Sequence, residues 1–305
     1  MKVSRERFFA FIRLTRPHFL LGGALLFGLG TAIALYLGRP IDIGLYLIGQ
    51  LLVTSIQLTT HYLNEYFDAP ADALNPNRTL MNGGSGVLGE SGLPRSTALY
   101  AAMISLAITA TGVSLLLLQG DVPLLSWLLL GLGFFGSYFY NAPPVRLISS
   151  GYGELAASVV VAGIVPAFSF ALQTGELHRL LLMTTAPLIA LHFAMVLVFE
   201  LPDFATDAKF EKRTLMVRVG WENGMRMHDG AILLAVLTFL LAFLTGLPSR
   251  VAMGGLIALP LALAQVWQLG RIRQGYPPRW QLLTISATGL FALTAYLELI
   301  GYVLS

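Results

Sequence analysis

The chain has 305 residues, of which 56% are hydrophobic and 11% charged, with no cysteine and a net charge of +3. A soluble domain carries about twice that charged share, so most of this chain needs a bilayer as its solvent. The missing cysteines exclude disulfides, thiolate metal sites and cysteine nucleophiles, and the small net charge gives no footing for nucleic acid.

Residues 1–18 carry five basic side chains and read as a basic, partly amphipathic segment ahead of the first span. A signal peptide is the competing reading. The apolar run beginning at Phe19 is long for one, and no small-x-small cleavage site follows it. Apolar stretches then recur at about 19–38, 43–63, 96–118, 122–140, 154–174, 180–199, 229–247, 251–269 and 281–303. Each is near the ~20 residues that a helix needs to cross a bilayer. Nine spans put the termini on opposite sides. Sixteen of the nineteen Lys and Arg fall on the side of the N-terminus; only Arg39, Arg179 and Arg250 fall on the other. By the positive-inside bias the N-terminus is cytoplasmic and Ser305 is not, in a cell (plasma) membrane.

Two cytoplasmic connections, 64–95 and 200–228, are far longer than the rest, and long connections in a bundle are usually functional. They repeat each other. The first reads Glu65-x-x-Asp68-x-x-x-Asp72 followed by Arg78-Thr79-Leu80. The second reads Glu200-x-x-Asp203-x-x-x-Asp207 followed by Arg213-Thr214-Leu215, every matched pair 135 residues apart. Such a spacing, with both copies on one side, is the signature of a parallel repeat about an axis along the membrane normal.

The chemistry follows from residue type. Asn64 and Asp68 share a helix face, with Asp72 expected just beyond a break at Pro70; Glu200 and Asp203 stand likewise around Pro202. Crowded carboxylates need a cation or protons between them. Oxygen donors without His or Cys suit magnesium (Mg2+), which bridges carboxylates to substrate phosphates. Asn64, Asp68, Asp72, Asp203 and Asp207 are the expected metal donors. Arg78, Lys209, Lys212 and Arg213 follow closely enough to meet phosphate oxygens. Together they describe a lipid diphosphate site at the mouth of an apolar cavity. Merely solvated acidic surface is the bland reading, and a second copy at fixed offset counts against it. An EF-hand fails on ligand spacing. A secondary transporter stays open as a different class, although transport acids tend to lie at the midplane rather than at the rim.

The stretch from Asn64 to Asp72 resembles the first Asp-rich motif of the UbiA superfamily of intramembrane prenyltransferases, and Glu200 to Asp207 resembles the second. Lys212 to Gly220, Gly83 to Val87 and Tyr140 to Leu147 are similar to segments of its menaquinone branch, the 1,4-dihydroxy-2-naphthoate prenyltransferases. The chain departs at Lys209-Phe210-Glu211, where relatives often carry a glycine before Lys-Arg-Thr-Leu. The resemblance spans all nine helices. It implies an all-α, nine-helix membrane bundle around a central cavity. One domain covers 1–305, capped by the two acidic segments. It further implies Mg2+-assisted transfer of a polyprenyl group from its diphosphate to an aromatic acceptor, foremost 1,4-dihydroxy-2-naphthoate. Acceptors such as 4-hydroxybenzoate, haem or a chlorophyll precursor are the alternatives. Asp68, Asp72, Asp203 and Asp207 would be catalytic.

Further residues have a functional and a bland reading. Arg16 and Arg146 are phosphate contacts or positive-inside anchors, and Tyr140 stands near the second of them. His61, one turn below Asn64, orients the acceptor or is a bonded structural histidine; His192 reads as packed interior. Glu200 counts with the substrate-binding set. Glu154 suits a helix N-terminus without any function, and Glu298 is expected to snorkel. The glycines of 83–89 lack the Gly-Lys-Ser/Thr of a P-loop.

Overall fold

The structure, a computed structural model, describes residues 2–89 and 92–305, so Met1 and residues 90–91 of the first long connection lie outside the described residues. In chain order the helices are α1 (Lys2–Thr15), α2 (Pro17–Tyr36), α3 (Ile43–Asp72), α4 (Arg95–Leu118), α5 (Leu124–Asn141), α6 (Gly153–Val159) and α7 (Val165–Thr174). Then come α8 (Arg179–Lys209), α9 (Leu215–Val219), α10 (Trp221–Leu244), α11 (Ser249–Arg273) and α12 (Trp280–Val303). A π-turn, Val160–Ile164, joins α6 to α7, and these three together make one span. Among the described residues eight spans are long and apolar enough to cross a membrane. The remaining predicted span forms α5, an 18-residue helix whose last turns carry Ser137, Tyr138, Tyr140 and Asn141. Among the described residues the only β-pairing is a single bridge between Leu88 and Leu93.

Local signals set the helix ends. Asp42 caps α3 by accepting from Leu45 N at 3.0 Å, and Pro17 occupies the first turn of α2, where a missing N–H costs nothing. Gly175, at φ 77°, ends α7. The helices pair as neighbours: α3 lies along α4, α8 along α10 and α11 along α12. Helix α2 sits against α3, α7 and α12. Shifted by 135 residues, α3 falls on positions 178–207 and so coincides with α8 to within about two residues, the sequence repeat in helical form.

Three expectations need correction. The acidic motifs are not loops: α3 runs unbroken through Pro70 to Asp72, and α8 through Pro202 to Lys209. Proline removes one helical donor, which would leave the Tyr66 carbonyl without its partner. Arg95 Nε donates to that oxygen at 2.6 Å, with its guanidinium 4.3 Å over the Tyr66 ring, so the helix survives. Each motif thereby gains a turn. Asp72 stacks one turn above Asp68, and Asp207 one turn above Asp203. The second connection shrinks accordingly, to residues 210–214 ahead of α9, and α10 starts at Trp221. Glu211 turns there at φ 54°, a left-handed conformation that favours the glycine of the resembled motif. Finally, Glu298 does not snorkel. It is fully buried, because Gly301 and Gly254 let α11 and α12 approach too closely for a Cβ between them.

Candidate active site

The extended ends of α3 and α8 deliver their acidic faces to one cavity of about 520 Å³. Asn64, Asp68 and Asp72 line it from α3; Glu200, Asp203 and Asp207 line it from α8. Arg16, His61, Tyr140, His192 and Lys212 also reach it. Below this polar rim the wall is apolar, with Leu21 and Leu25 of α2 facing Phe291 and Ala292 of α12.

Contacts cross between the two motifs in both directions. Lys212, from the second segment, donates to Asp68 Oδ2 of the first motif at 2.8 Å and lies 3.7 Å from Asp207 Oδ1. Asn75 and Asn82, from the first segment, donate to Asp203 Oδ1 of the second motif at 2.5 and 2.7 Å. Asn77 reaches the Pro202 carbonyl at 3.4 Å. Burial alone would lower the Lys212 ammonium's pKa, but Asp68 and Asp207 outweigh it and hold it well above the usual lysine range. A cation therefore stands between Asp68 of the first motif and Asp207 of the second.

Each motif opens with a glutamate that faces its own following segment. Glu65 Oε1 accepts from Arg16 Nε and Nη2 at 2.9 and 2.5 Å and from Ser85 N at 2.7 Å; Oε2 accepts from Ser85 Oγ at 2.7 Å. This grip holds Arg16, itself in a left-handed turn at φ 49°, and pins the Gly83–Gly86 turn onto α3. Gly84 takes φ 74° and lies so close to Asp72 that a Cβ would collide with that carboxylate. Glu200 Oε2 accepts from Met216 N at 3.2 Å, and its neighbour Glu154 Oε1 accepts from Leu215 N at 2.6 Å. Both thus hold the first turn of α9, directly after the stretch that carries Lys212 and Thr214. The first segment is tied to α12 as well, through Leu80 N to Gln281 and Thr284 Oγ1 to Thr79 Oγ1.

The structure separates the predicted residues into two groups. Arg16, His61, Asn64, Asp68, Asp72, Tyr140, Glu200, Asp203, Asp207 and Lys212 converge on the cavity. Arg78, Arg146, Lys209 and Arg213 are exposed and do not line it. Arg78 is bonded to the carbonyls of Asp72 and Gly83, which braces the turn. Arg146 lies 5.7 Å over the Phe67 ring, while Lys209 and Arg213 point outward from the end of α8 and the turn after it. Sequence reading passed over Glu65 as a positioning group, although it heads the repeat. It also passed over Asn75, Asn82 and Asn141. Asn141 is buried, meets Asn64 at 3.1 Å, and was within reach as part of Tyr140-Asn141-Ala142-Pro143.

The donor set can be tested against a magnesium ion. It is all oxygen, and its carboxylates stand as two facing pairs. Among the described residues no three of His, Cys, Asp and Glu form a ready cage. That arrangement fits an ion which takes one or two carboxylates and fills its sphere with phosphate oxygens and water.

Residues 24–291 match the UbiA prenyltransferase family. The chain is 30% identical over 266 residues to a 1,4-dihydroxy-2-naphthoate octaprenyltransferase of Mycobacterium tuberculosis, covering 84% of this chain and 83% of that protein. It is 27% identical over 235 residues to the Bacillus subtilis protein of the same name, covering 76% and 70%. In fold it resembles a UbiA homologue of Archaeoglobus fulgidus solved with GPP and Mg2+, with a TM-score of 0.60 at 14% identity, covering 95% of this chain and 99% of that one. An Aeropyrum pernix homologue solved in its apo form gives 0.61 at 13% identity, covering 92% and 97%. With a membrane-spanning bundle, two facing acidic helix ends and a family match across most of its length, the chain belongs to the UbiA prenyltransferase family and is a prenyltransferase.

Proposed function

We propose that the protein transfers a polyprenyl group from its diphosphate to 1,4-dihydroxy-2-naphthoate, with Mg2+, as a step of menaquinone synthesis. The observation that carries this reading is the two-way reach between the acidic motifs, Lys212 to Asp68 and Asn75 and Asn82 to Asp203, at the mouth of an apolar cavity. The names of the two bacterial relatives support the acceptor. Asn64, Asp68, Asp72, Asp203 and Asp207 would hold the metal, which when bound neutralises charge developing on the diphosphate. Lys212 and Arg16 add fixed positive charge at the same rim. Preorganised charge of this kind usually does more than any other effect to speed a reaction that releases an anion. The allylic C–O bond breaks and diphosphate departs with that bond's electron pair. A carbon of the electron-rich ring forms the new C–C bond and then sheds the group it carried, as H+ or as CO2, which restores the aromatic ring. Apolar walls from α2 and α12 keep water from trapping the allylic cation.

The chain works as one unit, with the connections 73–89 and 210–214 over the mouth, and this end faces the cytoplasm of the cell membrane. The lopsided distribution of Lys and Arg supports that orientation. The test is direct. Purified protein given a polyprenyl diphosphate, Mg2+ and a panel of aromatic acceptors should release diphosphate and yield prenylated naphthoate product by mass spectrometry. Product with 4-hydroxybenzoate alone would reassign the acceptor.

A further inference from the structure

A second, smaller space of about 140 Å³ leads off the main cavity between α3, α5, the π-turn and α7. The two share a neck that includes Gln57, Thr60, His61 and Ser137, below the acidic rim. Beyond the neck the lining is apolar: Val53, Ile56, Leu130, Ile164 and Phe168, with Phe168 almost fully buried at the far end. Two features shape the branch. Gly133 of α5 lines it without a side chain, and the π-turn sets Ile164 opposite Gly133 while Val160 packs tightly on Gly136. A π-turn inside an α-helix is rare and often marks a functional site.

Size and polarity identify an occupant. An apolar cavity of about 150 Å³ accepts one benzene ring. A polyprenyl chain is far too large for the branch, whereas the main cavity, at about 520 Å³, is several times larger. The neck is polar. His61 Nδ1 lies 3.3 Å from the Thr15 carbonyl, which leaves Nε2 for a ligand, and the Thr60 hydroxyl is spent on the Ile56 carbonyl at 3.0 Å. Among the described residues the Ser137 hydroxyl has no hydrogen bond, so it is free to meet an oxygen substituent. An apolar slot one ring deep, entered past two hydrogen-bonding groups and lying below the diphosphate rim, suits a flat hydroxylated aromatic.

We propose that this branch is the acceptor subsite. One ring of the acceptor enters between Gly133 and the π-turn, while His61 and Ser137 meet its oxygen substituents and leave the reacting ring at the cavity. The assignment rests on the prenyl-transfer reading above. Gly133 and Phe168 are then the residues that set acceptor size. A Cβ on Gly133 meets only Ile164 at 3.5 Å, an ordinary contact, so the side chain of Gly133→Leu reaches into the branch.

The experiment is steady-state kinetics in detergent with 1,4-dihydroxy-2-naphthoate, a tricyclic hydroxyanthracene carboxylate and prenyl diphosphates of several lengths. Gly133→Leu should raise the naphthoate KM about tenfold or more, and leave the prenyl diphosphate KM and the preferred chain length unchanged. Phe168→Ala should raise the tricyclic acceptor's kcat/KM relative to naphthoate by about tenfold. If Gly133→Leu is not monodisperse, Phe168→Ala decides alone. A Gly133→Leu enzyme with an unchanged acceptor KM and a shortened chain preference would give the branch to the prenyl tail and overturn the proposal. So would a Phe168→Ala enzyme with unchanged relative acceptor rates. A wild-type protein that prenylates none of the aromatics would instead overturn the functional reading beneath it.

Discussion

Replacing Glu65 by Gln tests whether the site is built from its supports upward. The substitution is nearly isosteric. A glutamine carbonyl can stand where Oε1 stands and keep the bonds from Arg16 and Ser85 N, while the Ser85 hydroxyl can rotate to accept from the new amide. What goes is the charge. Arg16 has 15% of its side chain exposed and Glu65 has 3%, so the pair is close to a buried ion pair. Breaking a buried pair from one side costs about 3–5 kcal/mol, and the remaining exposure of Arg16 puts this case near the low end.

Two consequences should be measurable. Thermal inactivation in detergent should come earlier, by an amount equivalent to about 3 kcal/mol. Prenyl diphosphate kcat/KM should fall about ten- to a hundred-fold, because Arg16 and the Gly83–Gly86 turn lose the group that fixes them beside Asp72. A double-mutant cycle isolates the pair. If Arg16→Met and Glu65→Gln combined cost clearly less than the sum of the singles, by more than about 1 kcal/mol, the two act as one element. Additive effects, or a Glu65→Gln enzyme that keeps wild-type stability and turnover, would refute the reasoning.

Other expectations follow from the same geometry. Asp68→Asn and Asp203→Asn should each cut turnover by orders of magnitude in protein that remains folded; near-normal activity in either would break the single shared site. Lys212→Met should lower prenyl diphosphate kcat/KM far more than Arg213→Met, since only Lys212 lines the cavity, and comparable losses would mean that Arg213 closes over bound substrate. The raised pKa of Lys212 makes its stabilisation fully present below the ordinary lysine range and lost only as pH rises through the raised value. Metal-free stability should therefore show no Lys212-dependent loss up to about pH 10. A tag at Ser305 should be labelled from outside intact cells and one within 210–214 should not; the opposite pattern would reverse the orientation.

Much of this was open to a reader of the sequence. Apolar runs located the spans, and the 135-residue offset located both halves of the acidic site, because hydropathy and motif spacing are local properties. What stayed hidden depends on partners remote in sequence. That α3 would pass through Pro70 rests on Arg95 reaching the carbonyl of Tyr66, 29 residues before it. Asn75 and Asn82 lie in a stretch without periodicity, and their grip on Asp203 spans more than 120 residues. Glu298 looked like a rim residue until the glycines of α11 and α12 were brought face to face. Basic residues near an acidic motif all looked alike in sequence, and the fold picked Lys212 and Arg16 while turning Arg78 and Arg213 away.

The two glutamates that head the repeat show where the duplicated halves have diverged. Both are buried, they stand 135 residues apart in register, and both accept backbone amides from the segment that follows. Their other partners differ. Glu65 faces the guanidinium of Arg16, whereas Glu200 faces a second carboxyl, Glu154, one oxygen of which has no hydrogen-bond partner. Removing charge should then act oppositely in the two halves. Glu200→Gln keeps an acceptor for Met216 N and supplies an amide donor for the orphaned Glu154 oxygen, a gain on the order of 1 kcal/mol. Thermal inactivation of Glu200→Gln should therefore be unchanged or delayed, while Glu65→Gln is inactivated earlier. The contrast needs no assumption about substrate, since it is read in detergent without ligand. Equal destabilisation by both substitutions would show that the second glutamate, like the first, answers to a cation, and that Glu154 is not its partner.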